Sequence, residues 1–131
     1  LPYDRESFKA EIFGSFLYVI GGTSGPSLNA TGSVIRLDLS NPTGAWDDAG
    51  VTDLPYAVCD HTANIYESFV YVAGGAASDV YSSVIRLDLS NPTSAWDDAG
   101  VADLPETRTS HGAAIIGTYL SFLQKCMQGF E

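Results

Sequence analysis

The chain says one thing twice. SVIRLDLSNPTGAWDDAG, from Ser33 to Gly50, returns as SVIRLDLSNPTSAWDDAG from Ser83 to Gly100. Across Ser33–Pro55 against Ser83–Pro105, only Gly44/Ser94 and Thr52/Ala102 differ. Upstream, FLYVIGG (Phe16–Gly22) corresponds to FVYVAGG (Phe69–Gly75), and the difference in spacing falls in one connection. That connection is TSGPSLNATG in the first copy and the shorter AASDVYS in the second. Length variation confined to a polar, Gly/Ser-rich segment marks a surface loop. A repeat of about 50 residues built from short strands is the period of a propeller blade, a unit that buries its faces only against neighbours.

The local patterns are those of strands. FLYVIGG is aromatic and β-branched and stops at paired glycines, which supply backbone angles that other residues resist. In SVIRLDL, Ile35, Leu37 and Leu39 fall on one face, and Val34, Arg36 and Asp38 on the other. Asn41-Pro42 starts a turn, after which Trp46 leads into a further short apolar stretch. Turn residues interrupt every apolar run before a helix could grow. Each unit is thus expected to hold four strands: 8–14, 16–22, 33–39 and 46–51 in the first, and 61–67, 69–75, 83–89 and 96–101 in the second.

Paired glycines after Tyr-Val, a strand, a tryptophan and then an LPxxRxxH element resemble kelch repeats over roughly residues 1–118. The resemblance implies an all-β fold: part of a kelch-type β-propeller made of four-stranded antiparallel blades. It divides the chain into a first blade at 1–53, a second at 54–103, and an incomplete third with a divergent tail at 104–131. LPxxRxxH occurs three times with substitutions, as Leu1-Pro2 with Arg5 and Phe8, Leu54-Pro55 with Val58 and His61, and Leu104-Pro105 with Arg108 and His111. Gln124 and Lys125 stand where a third glycine pair belongs. Proteins with such repeats mostly bind other proteins; some are sugar-active enzymes, such as galactose oxidases and sialic acid mutarotases. The expected role is a non-catalytic binding or structural module within a larger protein or assembly, with a fragment of a sugar-active enzyme as the alternative. Expected partners are other proteins or copies of the chain that complete the propeller, with carbohydrate as a further candidate.

Sixteen acidic residues against six basic ones give a formal charge of −10. That balance argues against a nucleic-acid partner, which needs a basic face, and against docking to an anionic membrane. No apolar run approaches the roughly 20 residues of a membrane helix. Cys59 and Cys126 occupy unrelated repeat positions and form neither a metal cluster nor a disulfide framework. The only methionine is Met127, so the expectation is a processed product or a piece of a longer chain.

Candidate residues fall into three groups. Gly21, Gly22, Gly74, Gly75, Trp46 and Trp96 recur at fixed blade positions and are expected to serve packing. Arg5, His61, Arg108 and His111 are candidates for a ligand face near the propeller mouth. Two histidines do not specify a metal, and a copper site of the galactose-oxidase kind would also need tyrosine ligands. No metal, cofactor or catalytic residue is therefore assigned. Arg36 and Arg86, each with an aspartate two residues on (Asp38, Asp88), are expected to pair with carboxylates between blades, since a buried charge is costly alone. Asp47-Asp48 and Asp97-Asp98 lack the alternating oxygen spacing of a calcium loop. Asn29-Ala30-Thr31 is an N-glycosylation sequon in the longest loop, present in the first copy only. It makes an extracellular glycoprotein the favoured setting.

Overall fold

The computed structural model describes residues 1–123. Gln124, Lys125, Cys126 and Met127 lie outside them. The described residues are all-β and form small antiparallel sheets. In the first, β2 (Lys9–Phe13), β3 (Phe16–Ile20) and β6 (Val34–Asp38) lie in the order β2-β3-β6. In the second, β7 (Thr62–Tyr66), β8 (Phe69–Ala73) and β9 (Val84–Asp88) repeat that order, and β10 (Gly112–Ile116) pairs with β11 (Tyr119–Leu123) in a third. A further sheet joins β1 (Arg5–Glu6), β4 (Thr23–Ser24) and β5 (Asn29–Ala30).

The registers of the two repeats are the same. Tyr18 sits opposite Arg36 and Tyr71 opposite Arg86, while Val19 faces Ile35 and Val72 faces Ile85. Period-two alternation then gives each sheet two apolar faces. Tyr18, Ile20 and Val34 of the first sheet pack with Ala63, Val70, Val72, Ile85, Leu87 and Leu89 of the second in one buried cluster. The inner strands β2, β7 and β10 lie side by side in chain order.

The expected fourth strands at 46–51 and 96–101 are instead single bridges, Arg36 to Asp47 and Arg86 to Asp97. Arg36 and Asp47 exchange both backbone hydrogen bonds at 2.9 Å. The Asp47 carboxylate then accepts the Gly50 N–H at 3.0 Å, which curls the chain before a strand can extend. Asp97 does the same with the Ala99 N–H at 2.9 Å. Aspartate competing for nearby backbone donors is what ends the ladder.

The ion pairs form at this outer edge. Arg36 meets Asp47 at 3.0 Å and Arg86 meets Asp97 at 3.3 Å. Each guanidinium also lies over a phenylalanine, Phe16 at 4.3 Å and Phe69 at 4.5 Å. Asp38 and Asp88 are occupied locally, accepting the Ser40 and Ser90 hydroxyls at 2.6 Å. A Cβ on Gly50 or Gly100 would collide with the neighbouring guanidinium, so the last residue of the repeated phrase is glycine for the ion pair's sake. The Arg36 guanidinium holds the Asp47 carboxyl below the usual carboxylate range.

Candidate functional site

Paired glycines and the histidine of the next repeat form one device. Gly21 and Gly22 have φ of 60° and 97°, and the Gly22 N–H donates to the Val58 carbonyl at 2.8 Å. A Cβ on Gly21 would come within 2.8 Å of that carbonyl and 2.9 Å of His61 Cε1. The next seam repeats it: the Gly75 N–H donates to the Arg108 carbonyl at 2.7 Å, and a Cβ on Gly74 would meet His111 Cε1 at 2.8 Å. Glycine is required because the imidazole of the following sheet lies directly on the backbone. At the same end, the Asp60 N–H donates to the Ser7 carbonyl and the Ser110 N–H to the Asp60 carbonyl, a backbone chain running from unit to unit.

His61 is fully buried here and offers no surface to a ligand, contrary to the expectation from its repeat position. Neither ring nitrogen has a hydrogen-bond partner. Its pKa falls to about 4, first through burial and then through the Lys9 charge, which the Ile20 carbonyl offsets in part. The ring is therefore neutral at pH 7. His111 is 6% exposed, and its Nε2 lies 3.3 Å from the Thr62 hydroxyl. Lys9 occupies the register position that Thr62 holds in the next sheet, so His61 has no equivalent hydroxyl. Lys9, Thr62, Asn64 and His111 line a cleft of about 180 Å³ beside the inner strands. Burial lowers the His111 pKa, and the Arg108 and Lys9 charges add to it.

Arg5 turns inward. Its guanidinium donates to the Ser33 carbonyl at 3.0 Å, the Gly21 carbonyl at 3.3 Å and the Tyr3 hydroxyl at 2.7 Å. Arg108 pairs with the exposed Glu106 at 3.1 Å. The four ligand-face candidates thus fall in pairs at the two seams, Arg5 and His61 at Gly21, and the Arg108 backbone and His111 at Gly74. Trp96 is half-buried, packs on the core, and donates its indole N–H to the Thr52 carbonyl at 3.0 Å. Trp46 is also half-buried but does not join that cluster.

A feature the sequence reading missed lies at the opposite end of β3 and β6 from the ion pairs. The hairpin of β4 and β5 stands as a ridge between two clefts, one of about 680 Å³ bounded by Tyr3, Asp4 and Glu6, the other of about 470 Å³ bounded by Ala57, Cys59, Ala77 and Ser78. Leu28 lines both. It is 54% exposed and has φ of 50°, a left-handed conformation uncommon for leucine. Asn29 lines the second cleft and is exposed. The signal in the sequence was a leucine within an otherwise polar loop, SGPSLNATG.

No protein-family model matches the chain, and no curated protein matches it. Its fold is similar to that of a solved structure of YjhT, with a TM-score of 0.76 and 16% sequence identity, over 92% of this chain and 34% of YjhT. The chain therefore spans about a third of YjhT's length. The likeness is one of fold: all-β, small antiparallel sheets, a propeller-type structure.

Proposed function

We propose that the chain is a non-catalytic binding or structural module of the kelch type, whose sheets act as blades completed by further blades of the same protein or of other chains. One observation carries this reading. The face of the second sheet that meets the first is covered, with Ala63 at 6%, Leu87 at 1% and Leu89 at 4% exposure. The matching face of the first sheet is covered at Val19 and Ile35, each 2% exposed, but toward the other end of the strands it is open, with Ile12 59% and Leu39 38% exposed. The same residue types that bury themselves once are ready to do so again. Covering each large aliphatic side chain stabilises by about 1.5–3 kcal/mol, and contiguous apolar faces of this kind mark interaction surfaces.

The test is the mass of the native protein and of the isolated 131 residues in solution. A longer parent chain, or association of the isolated chain, agrees with the proposal. A well-folded monomer of the isolated chain at micromolar concentration contradicts it. Oxidase and mutarotase assays on the native protein address the sugar-active alternative.

The extracellular glycoprotein setting rests on Asn29, which is exposed at the first position of the two-residue strand β5. Mass spectrometry of the native peptide should find a glycan on Asn29. Finding only the unmodified residue rejects that part of the reading.

A further inference from the structure

The segment Ser83–Gly100 is held at three points. Its strand β9 pairs with β8, and Arg86 lies over Phe69 at 4.5 Å. Trp96 seats on the preceding unit, where its indole N–H donates to the Thr52 carbonyl at 3.0 Å. The Thr52 N–H in turn donates to the Pro92 carbonyl at 2.9 Å. Tyr18, Val51 and Val70 are buried in the cluster on which Trp96 packs.

One unit further on, the counterparts of these seats are present and open. Among the described residues β11 pairs with β10 alone, so its other edge is free. Tyr119, which stands where Phe69 stands in the second unit, is 77% exposed. Tyr71, Val101 and Leu120 correspond to Tyr18, Val51 and Val70, yet they are only half-buried. They line a cleft of about 230 Å³ together with Tyr66, Ile115 and Thr118. Ala102, the counterpart of Thr52, is exposed, and neither its N–H nor its carbonyl bonds to another described residue.

We propose that this second seam is a docking site for one added β-strand and its turn, of the pattern Ile-Arg-Leu-x-Leu-x2-Pro-x3-Trp, supplied from outside these residues. The strand adds antiparallel to β11, and the free edge provides main-chain hydrogen bonds. Its leucine and isoleucine fall opposite Leu120 and Phe122, as Leu87 and Ile85 fall opposite Val70 and Val72. Its arginine covers the Tyr119 ring. Its tryptophan fills the cleft and donates to the Ala102 carbonyl, while the proline carbonyl accepts the Ala102 N–H.

The first seam already holds an occupant of this kind, so the chemistry is read from Ser83–Gly100 and not from apolarity alone. Neither copy of the phrase in this chain is free to serve, because β6 is committed to β3 and β9 to β8. Trp46 and Trp96 are the only tryptophans. A second copy docking by its first unit would place its β2 where β10 already lies beside β7. This inference rests on the module reading and names the segment that completes the third unit.

The probe is a fluorescein-labelled peptide with the sequence of Ser83–Gly100, titrated by anisotropy against the full chain, with a scrambled peptide of the same composition as control. The peptide should bind and the scrambled one should not. Trp96→Ala within the peptide should weaken binding at least about tenfold. Tyr119→Ser in the chain removes an exposed ring and leaves the fold intact. It should weaken the peptide about threefold and make no difference to a peptide carrying Arg86→Ala, since the two changes remove the same contact. Equal binding of the two peptides, no binding by a folded chain, or an unchanged affinity for the Trp96→Ala peptide overturns the proposal. Additive losses for Tyr119→Ser and Arg86→Ala do the same. Self-association of the chain that Tyr119→Ser abolishes also overturns it, because a second copy would then occupy the seam. Failure of the peptide with the native mass still showing a longer chain or blade association would leave the module reading standing.

Discussion

Acidification should loosen the seam between the first two units, and His61 should account for a measurable part of the loss. The imidazole is fully buried against Gly21, with both nitrogens unpartnered. Its pKa is about 4 in the folded chain against 6.5 for the ordinary side chain. A depressed histidine pKa means the unfolded chain binds the proton more readily. Stability is whole above about pH 6.5, falls as pH drops, and the loss is complete below about pH 4. A fall from 6.5 to about 4, at about 1.4 kcal/mol for each factor of ten in proton affinity, gives a loss of about 3 kcal/mol. Aspartates and glutamates titrate in the same window, so the informative variant is His61→Phe, the residue that Phe8 supplies at the same place in the first unit. The larger ring adds an offset common to all pH values. Urea midpoints of both proteins at about pH 8 and about pH 4 should show the variant losing about 3 kcal/mol less on acidification. If both proteins lose the same amount, the ring is not held neutral by burial and the reasoning fails.

Trp96→Ala should cost about 3–5 kcal/mol, because it empties a core contact and orphans the Thr52 carbonyl; Trp46→Ala should cost less than half of that, by urea denaturation of each. Gly74→Ala should destabilise by more than about 3 kcal/mol, since a Cβ there meets both the Arg108 carbonyl and His111. Gly14→Ala, with a similar φ of 59° but nothing within 4 Å, should cost only about 1–2 kcal/mol; equal losses for the two glycines in a thermal melt would refute the seam's role.

The strands were legible because alternation and turn residues act within a few positions of each other. The second and third strands of each unit lie where FLYVIGG, FVYVAGG and SVIRLDL put them, to within one or two residues at the ends. The fourth strands were misread because Trp46 and Val51 imitate a strand pattern, while the Asp47 carboxylate captures the Gly50 N–H instead of leaving it to a ladder. The arginine partner was obscured by proximity. Asp38 shares a face with Arg36 in sequence, yet its carboxylate is committed to the Ser40 hydroxyl and N–H. Arg36 therefore reaches across the turn to Asp47. The seat of His61 on Gly21 was beyond a local reading, since the two residues belong to different units. The recurrence of a glycine pair followed by a histidine in the next unit was the available signal.

What the two units share and where they part follows from which contacts each residue makes. Gly21-Gly22 and Gly74-Gly75 must match because each receives the following unit's backbone carbonyl. Arg36, Asp47 and Gly50 match Arg86, Asp97 and Gly100 because a guanidinium, a carboxylate and an absent Cβ have to fit together. A stack built on such shared seams has no intrinsic order, since any unit could follow any other. Order has to come from positions that differ at a seam. Lys9 against His61 and Thr62 against His111 are such a pair: a hydroxyl gives an imidazole nitrogen a hydrogen-bond partner and an ammonium group does not. Arg5 against Val58 is another, a guanidinium on backbone carbonyls where the next unit places a methyl against Gly75. The connection 23–32 meets the next unit at its end, where the Thr31 and Gly32 carbonyls accept the Val58 and Leu54 N–H groups, and this leaves its tip to expose Leu28 and Asn29. It differs from 76–82 at its tip, while both copies keep the carbonyls that the next unit's N–H groups reach, Thr31 and Gly32 in the first and Tyr81 and Ser82 in the second.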